Sequence, residues 1–241
     1  MIEIHEHETS SVIQRSDLRP EDREEMFALL SRHFDGVKRR QFDHDLDEKN
    51  WVIQLRWQNR LVGFSTLLAT ASIFDGVSLT VIYSGDTIVA PEAWGTPALA
   101  RQWIATVNCI RGEFPGRRCY WLLLASGFRT YRFLPVFWKE FFPRFDVATP
   151  LFQQRLIRHL ARERYGNLFD ETAWIVRFSQ PQRLREHLSE VPSGRAQDPH
   201  VGFFLLQNPG HSRGDELVCL TEIDESNLTR AGRRMVAEPG P

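Results

Sequence analysis

Val89-Ala90-Pro91-Glu92-Ala93-Trp94-Gly95-Thr96-Pro97-Ala98-Leu99-Ala100 is the stretch whose reading decides the fold. Before it, 79–89 is an apolar, strand-like run. After it, 98–110 carries Leu99, Trp103, Val107 and Ile110 at helical spacing. A strand that breaks at a Pro/Gly loop and restarts as a helix aims backbone N–H groups and the positive end of a helix dipole at one spot. That geometry suits an anion. Pro97 contributes no N–H to it.

Outward from the loop, the N-terminal side reads as alternating helices and strands. Val12-Ile13-Gln14 is strand-like. Pro20 with Glu21 and Asp22 marks a helix start, and Phe27, Leu30 and Phe34 extend it over 20–34. A second short helix is predicted over 41–48. The run 51–57 is rich in strand formers, Gln58-Asn59-Arg60 is a turn, and 61–74 is a strand with Gly63 at a bulge position. Asp75-Gly76 is a hairpin turn, so 79–89 closes a three-strand meander. On the C-terminal side, 119–125 (Cys-Tyr-Trp-Leu-Leu-Leu-Ala) reads as a strand buried on both faces. The segment 131–142 reads as an apolar helix interrupted by Pro135. Helices are predicted over 151–164 and 182–189, and strands over 201–207 and 216–223.

Composition narrows the function classes. A net charge of −1 and a pI near 6.7 give no basic field, which argues against a nucleic-acid partner. No apolar run approaches the ~20 residues that span a bilayer. The N-terminal Met1-Ile2-Glu3-Ile4-His5-Glu6 lacks a signal-peptide core, so the expected compartment is the cytoplasm. Cys109, Cys119 and Cys219 have no metal spacing and read as reduced, mostly buried thiols. His5 and His7 have no partner cluster, and no metal is expected.

The order helix, helix, three antiparallel strands, helix, buried strand, helix resembles the GNAT superfamily of N-acetyltransferases over roughly 12–143. There a strand ending V-x-P runs into a glycine-containing loop whose amides hold the pyrophosphate of coenzyme A. Val89, Pro91 and Gly95 fit that pattern. Trp94 stands where Arg or Gln is usual, Pro97 where a further Gly is usual, and Trp138 where a helix tyrosine commonly protonates the leaving thiolate. The resemblance implies an α+β fold: a central, mostly antiparallel twisted sheet flanked by helices. The chain then reads as a single domain over 1–241. Its core is 12–143, with a helical insertion at 144–198, a C-terminal hairpin and helix at 199–236, and a disordered tail at 237–241.

The resemblance further implies an N-acyltransferase that moves an acyl group from acyl-CoA, or from an acyl carrier protein, to a primary amine of a small molecule or peptide. Ile88, Val89, Trp94, Gly95, Thr96, Ala98, Leu99 and Arg101 would hold the carrier. Asp86, on the strand that enters the loop, would take the amine proton, and Tyr131 would be the acid. Ser84, Ser126 and Arg129 would meet the substrate. The aromatic segment Phe133, Phe137, Trp138, Phe141 and Phe142 is either helical core or the wall of an acyl tunnel. Two alternatives stay open: a GNAT-like protein that binds pantetheine or a peptide without turnover, and a different thioester reaction such as hydrolysis or decarboxylation.

Overall fold

The computed structural model describes residues 8–185, 188, 190–195 and 197–237. His5, His7 and the tail 238–241 lie outside them. The elements are β1 (Glu8–Gln14), α1 (Pro20–His33), β2 (Phe34–Asp35), α2 (Arg39–Asp47), β3 (Trp51–Trp57), β4 (Arg60–Phe74) and β5 (Val77–Val89). There follow α3 (Ala98–Gly112), β6 (Arg118–Ala125), α4 (Phe128–Phe137), α5 (Leu151–Tyr165), β7 (Phe169–Asp170), β8 (Ile175–Val176) and β9 (Arg183–Leu184). The chain ends with α6 (Pro199–Gln207), β10 (Glu216–Glu222) and α7 (Arg230–Ala237).

Eight strands form one sheet in the order β1-β3-β4-β5-β6-β10-β8-β7. Only β5 and β6 run parallel; the other pairs are antiparallel. The hairpin turns lie where the sequence places them. Gln58 and Asn59 take φ of 49° and 64°, and Asp75 and Gly76 take 49° and 77°. Paired positive φ values of this kind match the right-handed twist of the flanking strands. At Gly63 the β3–β4 register shifts, because Leu55 pairs Gly63 while Arg56 pairs Leu61. The extra residue makes the expected bulge.

Side-chain alternation along β6 sorts the helices onto two faces. Trp121 packs on Trp103 of α3, with ring centres 4.2 Å apart. Tyr120 and Leu122 instead join Leu156, Ile157 and Leu160 of α5. So α3, α4, α6 and α7 lie on one face and α5 on the other.

Three expectations are corrected. The apolar run 201–207 is helix α6, not a strand, because Asp198 caps it by accepting the His200 N–H and Pro199 starts it. Among the described residues 201–207 therefore forms no hairpin with β10, which pairs with β6 and β8 instead. The helix expected over 131–142 starts at Phe128 and stops at Phe137; Trp138 is extended and bridges Leu228. Within 182–189, Arg183–Leu184 is a strand on Phe34–Asp35, while 186, 187 and 189 lie outside the described residues.

Two irregularities in β5 place the site. Its pairing with β6 runs from Leu79↔Arg118 to Tyr83↔Leu122 and then ends, although both strands continue. On the β4 side, Ser65 pairs Thr87 while Leu67 pairs Ser84, so Gly85 and Asp86 together oppose Thr66. That two-against-one bulge bends β5 away from β6 and opens a cleft at the strand ends.

Candidate active site

The loop after β5 lies on one side of the cleft. Ala90 donates its N–H to the Val62 carbonyl at 2.8 Å, which pins the loop to β4. The Trp94 indole folds back, Nε1–H donating to the Val89 carbonyl at 2.8 Å. Its ring remains 45% exposed. The guanidinium of Arg129, at the start of α4, lies 4.3 Å from the ring centre and donates to the Leu188 carbonyl. A cation thus reaches the loop from α4 although the loop itself carries none.

The loop amides are only partly available to an anion, which corrects the expectation for 94–99. The N–H of Trp94 donates to the Pro91 carbonyl and that of Thr96 to the Ala93 carbonyl. Ala98 donates to Thr96 Oγ1 at 3.1 Å, and that hydroxyl donates to Glu8 Oε1 at 2.5 Å. Thr96 therefore caps α3 from two residues back. The amides of Gly95, Leu99 and Ala100 remain at the open helix end. A Cβ on Gly95 would meet nothing within 4 Å, so the space before it is clear. Ile88 and Leu99 are each 8% exposed and anchor the loop, and Arg101 is half-buried on α3.

Asp86 lies on the bulge, half-buried. Burial, and then the charge of Asp45, push its carboxyl up to about 6, while Lys49 pulls the other way. Gly85 is required beside it: a Cβ there would lie 2.4 Å from Thr66 Oγ1 and 2.5 Å from Lys49 Cε. Lys49 is 8% exposed, its Nζ donates to the Asp45 carbonyl at 2.8 Å, and burial lowers its pKa. Ser84 accepts the Trp121 indole N–H at 3.0 Å, leaving its own O–H to donate. Ser126 is half-buried in the bend just after β6.

Tyr131 is not at the cleft. It is fully buried, its hydroxyl donates to the Pro143 carbonyl at 2.9 Å, and burial holds its pKa far above the usual phenol range. Phe141, Phe203 and Phe204 surround the ring. Its partner is a backbone carbonyl of the core, so it takes no part in proton transfer to a ligand. Phe133, Phe137 and Trp138 likewise close on Trp103 and Trp121 as core. Cys119 and Cys219 are buried, but Cys109 is exposed.

One acidic residue was not visible from the sequence. Glu216 opens β10, beside the end of β6, where Leu217 pairs Ala125. Burial, and then the charge of Asp86, raise it to about 8. In the sequence it is merely the polar end of a strand; the register across β6 brings it to the cleft. A polar cavity of about 290 Å³ lies at the opposite end of β6 and β10, lined by Tyr120, Glu222 and Asn227, away from the loop. Among the described residues, no group of three or more His, Cys, Asp or Glu is placed to hold a metal. No described helix is long and apolar enough to cross a membrane.

Fold and cleft together define a class: a mixed, mostly antiparallel sheet flanked by helices, with a strand–loop–helix junction at an opening, the fold the GNAT resemblance implies. No protein-family model matches the chain, and no curated protein matches it in sequence. Solved structures are similar to parts of it. A GNAT family N-acetyltransferase of Escherichia coli in complex with CoA is 20% identical over 53% of this chain and 67% of that one, with a TM-score of 0.39. A Trypanosoma brucei acetyltransferase is 17% identical over 60% and 98%, with a TM-score of 0.41. A probable N-acyltransferase of Enterococcus faecalis is 19% identical over 52% of this chain and 31% of its own length, with a TM-score of 0.40.

Proposed function

We propose that this protein transfers an acyl group from a coenzyme A thioester, or from the equivalent phosphopantetheinyl arm of a carrier protein, to a primary amine. The observation that carries the reading is the cleft itself. The edges of β5 and β6 part beyond Tyr83 and Leu122, with the α3 N-terminus on one side and Asp86 on the bulge. An extended, amide-bearing arm laid in that gap would pair with the exposed strand edges. Its phosphates would meet the amides of Gly95, Leu99 and Ala100, with the Arg129 cation beside them.

The chemistry follows from the groups at the gap. At neutral pH a carboxyl that titrates near 6 is ionised, so Asp86 accepts the proton of the incoming ammonium and frees the amine lone pair. The amine attacks the thioester carbonyl, the tetrahedral intermediate collapses, and the C–S bond breaks. A thiol has a pKa of about 8.5, so the thiolate departs with little help from an acid. Hydrogen bonds from Ser84 and Ser126 suffice for the sulfur and the developing oxyanion. The burial of Tyr131 is then no obstacle.

Native mass spectrometry with coenzyme A, short and long acyl-CoAs and an acylated carrier protein tests the reading. One donor class is expected to bind stoichiometrically, with Arg129→Ala weakening it about 10-fold. Absence of binding by every donor would overturn the reading.

A further inference from the structure

The polar cavity at the far end of β6 and β10 lies outside the acyl-transfer cleft. The cleft opens where Leu217 pairs Ala125, and the cavity lies where Glu222 pairs Tyr120. Five segments close around it: the start of β6, the extended stretch 139–142, the first turn of α5, the end of β10 and the turn 224–227. Hydrogen bonds among these segments fix its walls. Phe142 and Leu220 exchange both backbone bonds at 2.8 Å. Thr221 Oγ1 donates to the Glu140 carbonyl at 2.7 Å, and Asn227 Nδ2 donates to the Glu140 and Glu222 carbonyls at 3.1 and 2.9 Å. The space is a preformed hollow, as ligand sites usually are.

Two groups on its wall have no partner. Tyr120 is 3% exposed, and its hydroxyl makes no hydrogen bond. Gln153 Oε1 is buried and equally unpartnered. A buried phenol wants an acceptor for its O–H, and an amide carbonyl wants a donor; leaving either unmet is unfavourable. Both groups are uncharged. The charges around the hollow are balanced. Arg118 holds Glu222 through two bonds at 2.8 and 2.6 Å, and Arg111 lies 3.6 Å from Asp224. Lys139 and Glu140 remain, opposite in sign and both exposed. Lys139 donates to the Ser226 carbonyl at 2.5 Å, and among the described residues Glu140 is engaged through its backbone alone.

An ion drawn into this hollow would meet no free opposite charge at the buried end, so the occupant is neutral. A hydroxyl both donates and accepts, and so answers the phenol and the amide carbonyl alike. Further hydroxyls would reach Lys139 and Glu140 at the rim. Phe142, 8% exposed, and Leu220 offer an apolar surface to the C–H face of a ring. The volume of about 290 Å³ is roughly ten times the ~30 Å³ of a water in the liquid, room for a six-membered sugar ring with its hydroxyls. We propose that this cavity is a second ligand site, for a neutral polyol of hexose size, with the Tyr120 hydroxyl and the Gln153 side chain as its buried contacts.

The test is saturation-transfer NMR on the full chain, titrating D-glucose, D-galactose and D-mannose, with glucose 6-phosphate and glycine as charged comparisons. At least one hexose is expected to bind, and at least 10-fold tighter than either comparison. Tyr120→Phe is expected to lose about 10-fold in hexose affinity while its Tm without ligand stays level or rises, because the hydroxyl it removes has no partner in the chain. Asp86→Asn is expected to bind hexose as the wild type does. Absence of hexose binding, equal or tighter binding of glycine or glucose 6-phosphate, or undiminished affinity in Tyr120→Phe overturns the inference. So does a lowered Tm in Tyr120→Phe, which would show the hydroxyl already satisfied. Loss of hexose binding in Asp86→Asn would move the ligand to the cleft and overturn it as well. None of these readouts involves a thioester, so the acyltransferase reading stands or falls separately.

Discussion

Strand β5 is paired on both sides over its first half and on one side over its second, and the two halves have opposite characters. In the first, Val81 and Ile82 are fully buried between β4 and β6. In the second, Ser84, Gly85 and Asp86 are half-buried and Thr87 is exposed. Gly85 and Asp86 are poor strand formers in their own right. The two halves differ further because the parallel neighbour leaves and a bulge turns the backbone outward. One strand thus carries both a buried support and the bulge that holds Asp86, so the carboxyl proposed as the base is held by a rigid element rather than a free loop.

The comparison can be broken most directly at Asp86. Asp86→Asn is expected to lower kcat/KM about 10²–10⁴-fold in a steady-state acyl-transfer assay while leaving the fold intact. The wild type should lose activity as pH falls through about 6. Activity within a few-fold of wild type would remove the second half from the chemistry.

The first half should respond in the opposite way. Ile82→Ala is expected to cost about 2–5 kcal/mol in urea denaturation through the cavity it leaves, with kcat/KM nearly unchanged under folding conditions. Gly85→Ala sits at the border between the halves. Its Cβ must displace Thr66 Oγ1 and Lys49 Cε, which should cost about 1–3 kcal/mol in the same measurement. Tyr131→Phe extends the contrast to α4. It should cost about 1 kcal/mol, because the Pro143 carbonyl loses its donor, and should leave kcat unchanged. A large fall in kcat would restore Tyr131 to the chemistry.

The smallest effect is a pH slope. Glu216 titrates near 8 in the folded chain against an ordinary 4.5. The folded state therefore holds more protons than the unfolded one between those values, and stability falls as pH rises through that window. Asp86 acts in the same direction between 3.8 and about 6. Glu216→Gln should flatten the decline in Tm between pH 5 and 8.

Much of this was legible in the sequence, where local signals are strong. Gln58-Asn59 and Asp75-Gly76 announce their turns, Pro20 its helix, and 119–125 its doubly buried strand. The position of Asp86 on the strand entering the loop is also readable from its spacing. The failures have physical causes. The residues 201–207 are apolar throughout, so periodicity cannot separate helix from strand; the Asp198-Pro199 start signal decides it, together with packing of Phe203 and Phe204 on Tyr131. Strands β7 and β8 are two residues long and carry no pattern of their own. Glu216 joins Asp86 through register across an intervening strand, which spacing along the chain does not express. The loop amides were overcounted because Thr96 satisfies Ala98 locally.

The stacking of Arg129 on Trp94 also has an optical consequence. Trp94 is 45% exposed, whereas Trp103, Trp121 and Trp138 are sealed in the core. A guanidinium 4.3 Å from its ring centre perturbs the excited indole directly. The chain therefore carries an intrinsic fluorophore at the proposed donor entrance. Its emission should shift when a phosphate draws Arg129 away, giving a label-free, millisecond record of arrival and departure.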